Sequence, residues 1–180
     1  MILKIELENF FSIKDRVRID FRAANINTAL ARELGHNVMV WNGVPILKSV
    51  GLFGPNASGK SNVMKAINFC CRMILDSHLY NEGTVFNFEP FKFDGWQDKS
   101  SKFLIDFVCD NIEYEYSFEL TKERILSESL YHYPVGRRAK VFVREANGKY
   151  SFGTGVFAKP LDVVLNTSEK NLFLSRASSM

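Results

Sequence analysis

The sequence predicts an α/β fold with a mixed sheet, a helix behind a glycine-rich loop, and an antiparallel β subdomain. Three observations carry that expectation. A short apolar run ending at Phe53 leads into Gly54-Pro55-Asn56-Ala57-Ser58-Gly59-Lys60-Ser61, and an amphipathic stretch follows at once. Residues 102–152 alternate apolar and polar side chains between short turn signals. The chain has 180 residues, 46% hydrophobic and 24% charged, which is ordinary for a globular domain with its own core.

The elements follow in order. Ile2 to Glu8 alternates and reads as a strand. Asn9-Phe10-Phe11-Ser12 reads as a turn, and Arg16 to Phe21 as a second strand antiparallel to the first. Ala23 to Asn37 is weakly patterned, a loop or short helix with Asn25, Asn27 and Thr28 as candidate caps. Val44 to Phe53 reads as a buried strand delivering the chain to the loop.

The loop matches G-x-x-x-x-G-K-[ST]. Strand, glycine loop and helix together aim backbone N–H groups at an anion, and the helix N-terminus adds its dipole. Gly54 and Gly59 allow the tight backbone path round phosphates. Lys60 brings a point positive charge to the β- and γ-phosphates. The Ser61 hydroxyl is placed to ligate a Mg2+ bridging them.

Asn62 to His78 reads as the helix behind the loop. Val63, Ile67, Cys70 and Ile74 form its apolar stripe, widened by Met64, Cys71 and Leu75. Phe69 and Met73 fall outside that stripe and predict a second covering layer. Tyr80 to Gln97 reads as a loop anchored by several Phe side chains. Then come strands over Lys102–Cys109, Ile112–Leu120 and Arg124–Tyr133, with Asp110-Asn111 as a two-residue turn. Ala139–Arg144 and Lys149–Phe152 form a further hairpin round Asn147-Gly148. Pro160 breaks the chain, and Asn166 to Ser175 could open a helix capped by Thr167 or Ser168.

The net charge of +3 is too mild to argue for nucleic acid by itself. Arg137, Arg138 and Lys140 read as a solvated turn rather than a DNA contact. Cys70, Cys71 and Cys109 are an odd set with no secretion signal, which points to a reducing cytoplasm. Cys70 and Cys71 are adjacent on a helix, so their side chains diverge by about 100° and read as small helix residues facing the core, not ligands. His36, His78 and His132 have no motif context. The charged N-terminal strand is no membrane span.

With these residues in view, a family resemblance can be stated. Gly54 to Ser61 with Asn62 resembles the loop of the ABC-type ATPases of the SMC, RecF and OLD group, where residues such as Asn56 and Asn62 are typical. Leu7-Glu8-Asn9-Phe10-Phe11-Ser12-Ile13 resembles the turn after the first strand in that group. Ile125 to Tyr131, Phe142 to Glu145 and Asn171 to Ser175 look like a bacterial branch of AAA-family ATPases that includes abortive-infection and restriction-associated proteins.

The resemblance implies ATP and Mg2+ on residues 54–62, with Lys60 as the catalytic cation and Ser61 on the metal. It implies a homodimer closed head to tail round two nucleotides, and a DNA or nuclease partner. It also implies a signature motif, a switch histidine and a Walker B strand. The nearest approach to Walker B is Phe103-Leu104-Ile105-Asp106-Phe107. There Phe107 stands where the catalytic Glu belongs, so Asp106 reads instead as the water-facing residue of an alternating strand. The chain is thus expected to be an N-terminal lobe. Residues 1–80 would carry the first strands, loop and helix, 81–158 the antiparallel subdomain, and 159–180 a connection onward. Such a lobe of an ATPase in DNA maintenance or anti-phage defence would hydrolyse ATP poorly alone. Two other readings stay open: a self-contained P-loop kinase or GTPase, and a nucleotide-gated protein-interaction module presenting the aromatic sheet.

Overall fold

A computed structural model describes residues 1–24, 33–155 and 160–180. The strands are β1 (Ile2–Glu8), β2 (Val17–Asp20), β3 (Val38–Trp41), β4 (Val44–Leu47), β5 (Ser101–Cys109), β6 (Ile112–Leu120), β7 (Ile125–His132), β8 (Ala139–Arg144) and β9 (Tyr150–Phe152). The helices are α1 (Lys60–Asp76), α2 (Pro160–Leu165) and α3 (Phe173–Ser179). Asn25, Asn27 and Thr28, the candidate caps, lie outside the described residues.

Seven strands form one sheet in the order β2-β1-β5-β6-β7-β8-β9, and β3-β4 is a separate hairpin. Every pairing is antiparallel. The α/β class therefore holds, but the expected mixed sheet is antiparallel among the described residues. The first strands join the middle strands directly, because β1 pairs with β5 from Ile2↔Phe107 to Glu8↔Lys102.

Local chemistry explains the hairpins. Asp110 and Asn111 both adopt positive φ, 49° and 59°, as a two-residue type I′ turn requires. At the β8–β9 turn Gly148 has φ 80°, and Asn147 Oδ1 accepts from Lys149 N at 2.8 Å.

The core lies between one sheet face and α1. Leu7, Phe103 and Phe118 stand side by side in register, and the last two rings stack at 5.0 Å. Phe69 of α1 rests on Phe10 and Phe103 at 5.6 and 5.7 Å between ring centroids. That contact sets the helix rotation. Ala66, Cys70 and Met73 are buried, while Met64, Cys71 and Leu75 face out. The buried stripe is thus turned towards Phe69 and Met73 relative to the sequence expectation, and the sheet is the layer that covers them. Burial also pushes the Cys70 thiol well up, which keeps it protonated and unreactive.

At the C-terminal end the helix expectation needs correction. Pro160 opens α2 instead of breaking the chain, as its fixed φ and missing N–H suit a first helical position. Residues 166–172 stay irregular because Asn171 is committed elsewhere. Its Oδ1 accepts from Ser168 N and Oγ at 3.1 and 2.8 Å, and its Nδ2 donates to Ser77 O and Tyr80 O at the end of α1.

Candidate functional site

Gly54 to Ser61 forms an exposed loop that runs straight into α1. Gly59 caps the helix with φ 90° and ψ 0°, a left-handed conformation that strains any side chain. A Cβ there would also lie 3.3 Å from Ser12 Oγ. At Gly54 the constraint is space, since a Cβ would stand 2.9 Å from Ser58 Oγ. The Gly59→Ala variant is expected to lose about 1–2 kcal/mol of stability in chemical denaturation, the strain of one left-handed alanine.

The Lys60 ammonium folds back over its own loop. Nζ donates to Gly54 O at 2.8 Å, Pro55 O at 2.7 Å and Ser58 Oγ at 3.4 Å. All three of its N–H donors are thereby aimed into the concave side of the loop. None of these contacts is with a carboxylate, so the positive charge is not neutralised there. A glycine loop leading into a helix N-terminus, with an ammonium that no carboxylate neutralises, fits a polyphosphate, and Ser61 stands in the first helical turn for a metal ion.

The turn after β1 abuts this loop. Asn62 Nδ2 donates to Ser12 Oγ at 2.7 Å. Phe10 and Ile13 bridge to each other, and Asn9 and Phe11 take positive φ of 58° and 50°. Asn9 is the anchor that sequence reasoning missed. It is fully buried, its Nδ2 donates to Trp96 O, Lys99 O and Ser100 O, and its Oδ1 accepts from Phe91 N at 2.8 Å. One side chain therefore pins the 91–100 segment against the turn. Asn9→Ala is expected to cost about 2–3 kcal/mol, because it strands several polar groups in a buried setting. A urea titration with unchanged m-value would check this. The only signal in the sequence was the position of an Asn directly after a strand, at a turn.

Two expectations about the neighbourhood fail. Val44 to Phe53 is not one buried strand. β4 stops at Leu47, paired with β3 on one side and bridged to Arg22 on the other, while Val50, Leu52 and Phe53 are exposed, Phe53 at 95%. The apolar run finds no sheet neighbour among the described residues, so burial cannot organise it. Asp106 does not face water. It is 7% exposed and ion-paired with Lys4 at 3.0 Å, its opposite residue on β1. Burial pushes its carboxyl above the usual carboxylate range, with Lys4 pulling the other way. Arg138 of the basic turn is likewise engaged, pairing with Glu115 at 2.6 Å and lying over the Tyr131 ring.

Among the described residues no group of three or more His, Cys, Asp or Glu side chains could hold a metal ion, and no helix is long and apolar enough to cross a membrane. Comparison with curated proteins returns no match. The profile of one family, described as "AAA domain, putative AbiEii toxin, Type IV TA system", matches residues 49–170, a span that opens just before the glycine loop and takes in α1 and β5 to β9. With two thirds of its length so matched, the chain belongs to this family of AAA domains.

Proposed function

We propose that residues 54–62 bind the triphosphate of Mg·ATP, and that the chain is the nucleotide-binding lobe of an ABC- or SMC-like ATPase acting in DNA maintenance or phage defence. The observation that carries this is the Lys60 ammonium, held over an open loop by three neutral oxygens and by no carboxylate. Such a cation is available to phosphate oxygens in exchange for bonds to oxygens on an exposed loop, which water can then serve. Gly54 and Gly59 keep the cradle clear, and Ser61 would supply a hydroxyl to Mg2+, which neutralises phosphate charge when bound.

Hydrolysis needs a base to orient water, and no carboxylate bonds to the loop among the described residues. Asp106 is committed to Lys4 on a different strand pair. The lobe therefore binds nucleotide but turns it over poorly, and a second copy closing on the nucleotide would complete the site. Calorimetric titration of Mg·ATP into the purified chain tests the reading. Saturable heat with slow phosphate release agrees with it, and absence of heat sinks it.

A second reading has its own support. Val50, Leu52, Phe53, Met64 and Leu75 are all exposed apolar side chains on the loop approach and the outer face of α1. A nucleotide-gated interaction module would use such a surface for a protein partner. It predicts partner affinity that changes with ATP, since a ligand shifts only what it binds differentially.

A further inference from the structure

We propose that the bowl between α1, the Phe10-Phe11 turn and residues 80–87 binds a small amphipathic organic acid, its acidic group on Lys65 and its apolar body on Phe69 and Phe86. This site is separate from the glycine loop and does not depend on the reading of residues 54–62.

Shape is the first argument. The bowl has a volume of about 420 Å³, inside the range of about 300–1,000 Å³ usual for small-molecule sites. Phe10, Met73 and Phe86 are buried and line its bottom, and Phe69 lies against Phe10 with ring centroids 5.6 Å apart. Three separate segments ring it. That makes a bowl for a compact body rather than a track along which a partner's strand or helix could lie.

Charge is the second. α1 presents Lys65, Asn68 and Arg72 to the bowl, one helix face with Phe69 and Met73, and no acidic residue lines it. Lys65 has no carboxylate partner among the described residues, and its ammonium lies 5.3 Å from the centre of the Phe11 ring. Arg72 differs, since Asp76 pairs with it at 3.6 Å one turn on. Lys65 is therefore the cation open to an acidic group. Arg72, about 10 Å further along the helix, adds positive potential. A cationic ligand is repelled from both, and a neutral one leaves Lys65 unused. The side-chain amides of Asn68 and Asn87 make no hydrogen bond among the described residues and can serve other polar atoms of the ligand.

Preorganisation is the third. Asn171 Nδ2 donates to Tyr80 O at 3.0 Å, Phe86 N donates to Lys122 O at 3.0 Å, and Phe11 N donates to Glu89 O at 2.7 Å. Both loop walls are thus tied to the scaffold, and little ordering is left for binding to supply.

The test uses anilinonaphthalene sulfonate, an aromatic anion that fluoresces in apolar sites, beside phenylnaphthylamine, the same rings without the sulfonate. Lys65→Gln is expected to weaken the sulfonate about fivefold, the upper end for an exposed ion pair, and to leave the uncharged amine unchanged. Lys65→Arg should restore the sulfonate. Asn68→Trp, which fills the bowl from its rim, should remove the tightest binding of both probes. Saturating Mg·ATP should leave the signal in place. Lys65 and Asn68 are exposed, so all three variants should melt with the wild type. Sulfonate affinity unchanged in Lys65→Gln or in Asn68→Trp overturns the site, as does an equal loss of both probes in Lys65→Gln. Displacement by Mg·ATP would put the probe on the glycine loop and overturns the bowl as a site of its own.

Discussion

Lys60→Ala is expected to abolish Mg·ATP binding, with a loss on the order of 100- to 1,000-fold, and to leave the fold intact. The size follows from the contacts. An ammonium bridging two phosphates makes charge-assisted bonds worth about 1.5–3 kcal/mol each, and two of them sum to several kcal/mol. The indifference of the fold follows from where Lys60 sits. Its present partners, Gly54 O, Pro55 O and Ser58 Oγ, are on an exposed loop and can be served by water once the amine is gone. Calorimetry should therefore lose the binding heat, while the thermal midpoint moves by no more than a degree or two. Retained affinity in the variant would show that the loop is a glycine turn and not a phosphate site. Loss of both affinity and stability would make Lys60 a structural residue.

This separation between site and scaffold explains what the sequence made legible. The glycine loop, α1 and the hairpins at Asp110-Asn111 and Asn147-Gly148 were all readable, because each is dictated by residues close in the chain. The turn residues and Gly59 need positive φ, and Gly54 needs space beside Ser58, four residues on. Apart from Pro160, whose local chemistry also suits a helix start, the misreadings concern long-range placement. Asp106 looked solvent-facing from alternation alone, yet Lys4 stands opposite it one strand away, and the pair can be buried together. The buried face of α1 was displaced because Phe10, in the turn after β1, and Phe103, on β5, receive Phe69. Val50 to Phe53 looked like a buried strand because apolar runs usually are, but periodicity does not name the neighbour that would bury it. The Asn9 anchor belongs to the same class, since it joins residues about eighty positions apart.

Glu128→Ala is expected to be the most destabilising single substitution among these, at about 3–5 kcal/mol. Glu128 is a fully buried acid on the core face of β7, in register between Phe118 of β6 and Arg144 of β8. Its Oε1 accepts from Tyr116 OH at 2.8 Å and from Leu174 N at 3.0 Å, and its Oε2 accepts from Phe173 N at 2.6 Å. The carboxylate thus caps the start of α3 and fixes it to the sheet. Arg144 holds the same corner from the other side by donating to Asn171 O at 2.8 Å, and Asn171 reaches the end of α1. Truncation would leave the buried Tyr116 hydroxyl and the amides of Phe173 and Leu174 without an acceptor at once and remove a negative charge from beside the buried Arg144, and such losses are of this size. A domain is typically stable by only 5–15 kcal/mol, so a large share of the margin would go. Burial pushes the Glu128 carboxyl above its ordinary value, against the pull of its hydrogen bonds. The native state then keeps a proton that the unfolded chain releases, so this group favours folding less as pH rises from the ordinary glutamate value through the raised one. The wild type should show that slope in chemical denaturation, and Glu128→Ala should lack it. A variant that unfolds at wild-type denaturant concentrations would mean that α3 is held by its apolar side chains, Phe173 above all, and that the buried acid is incidental.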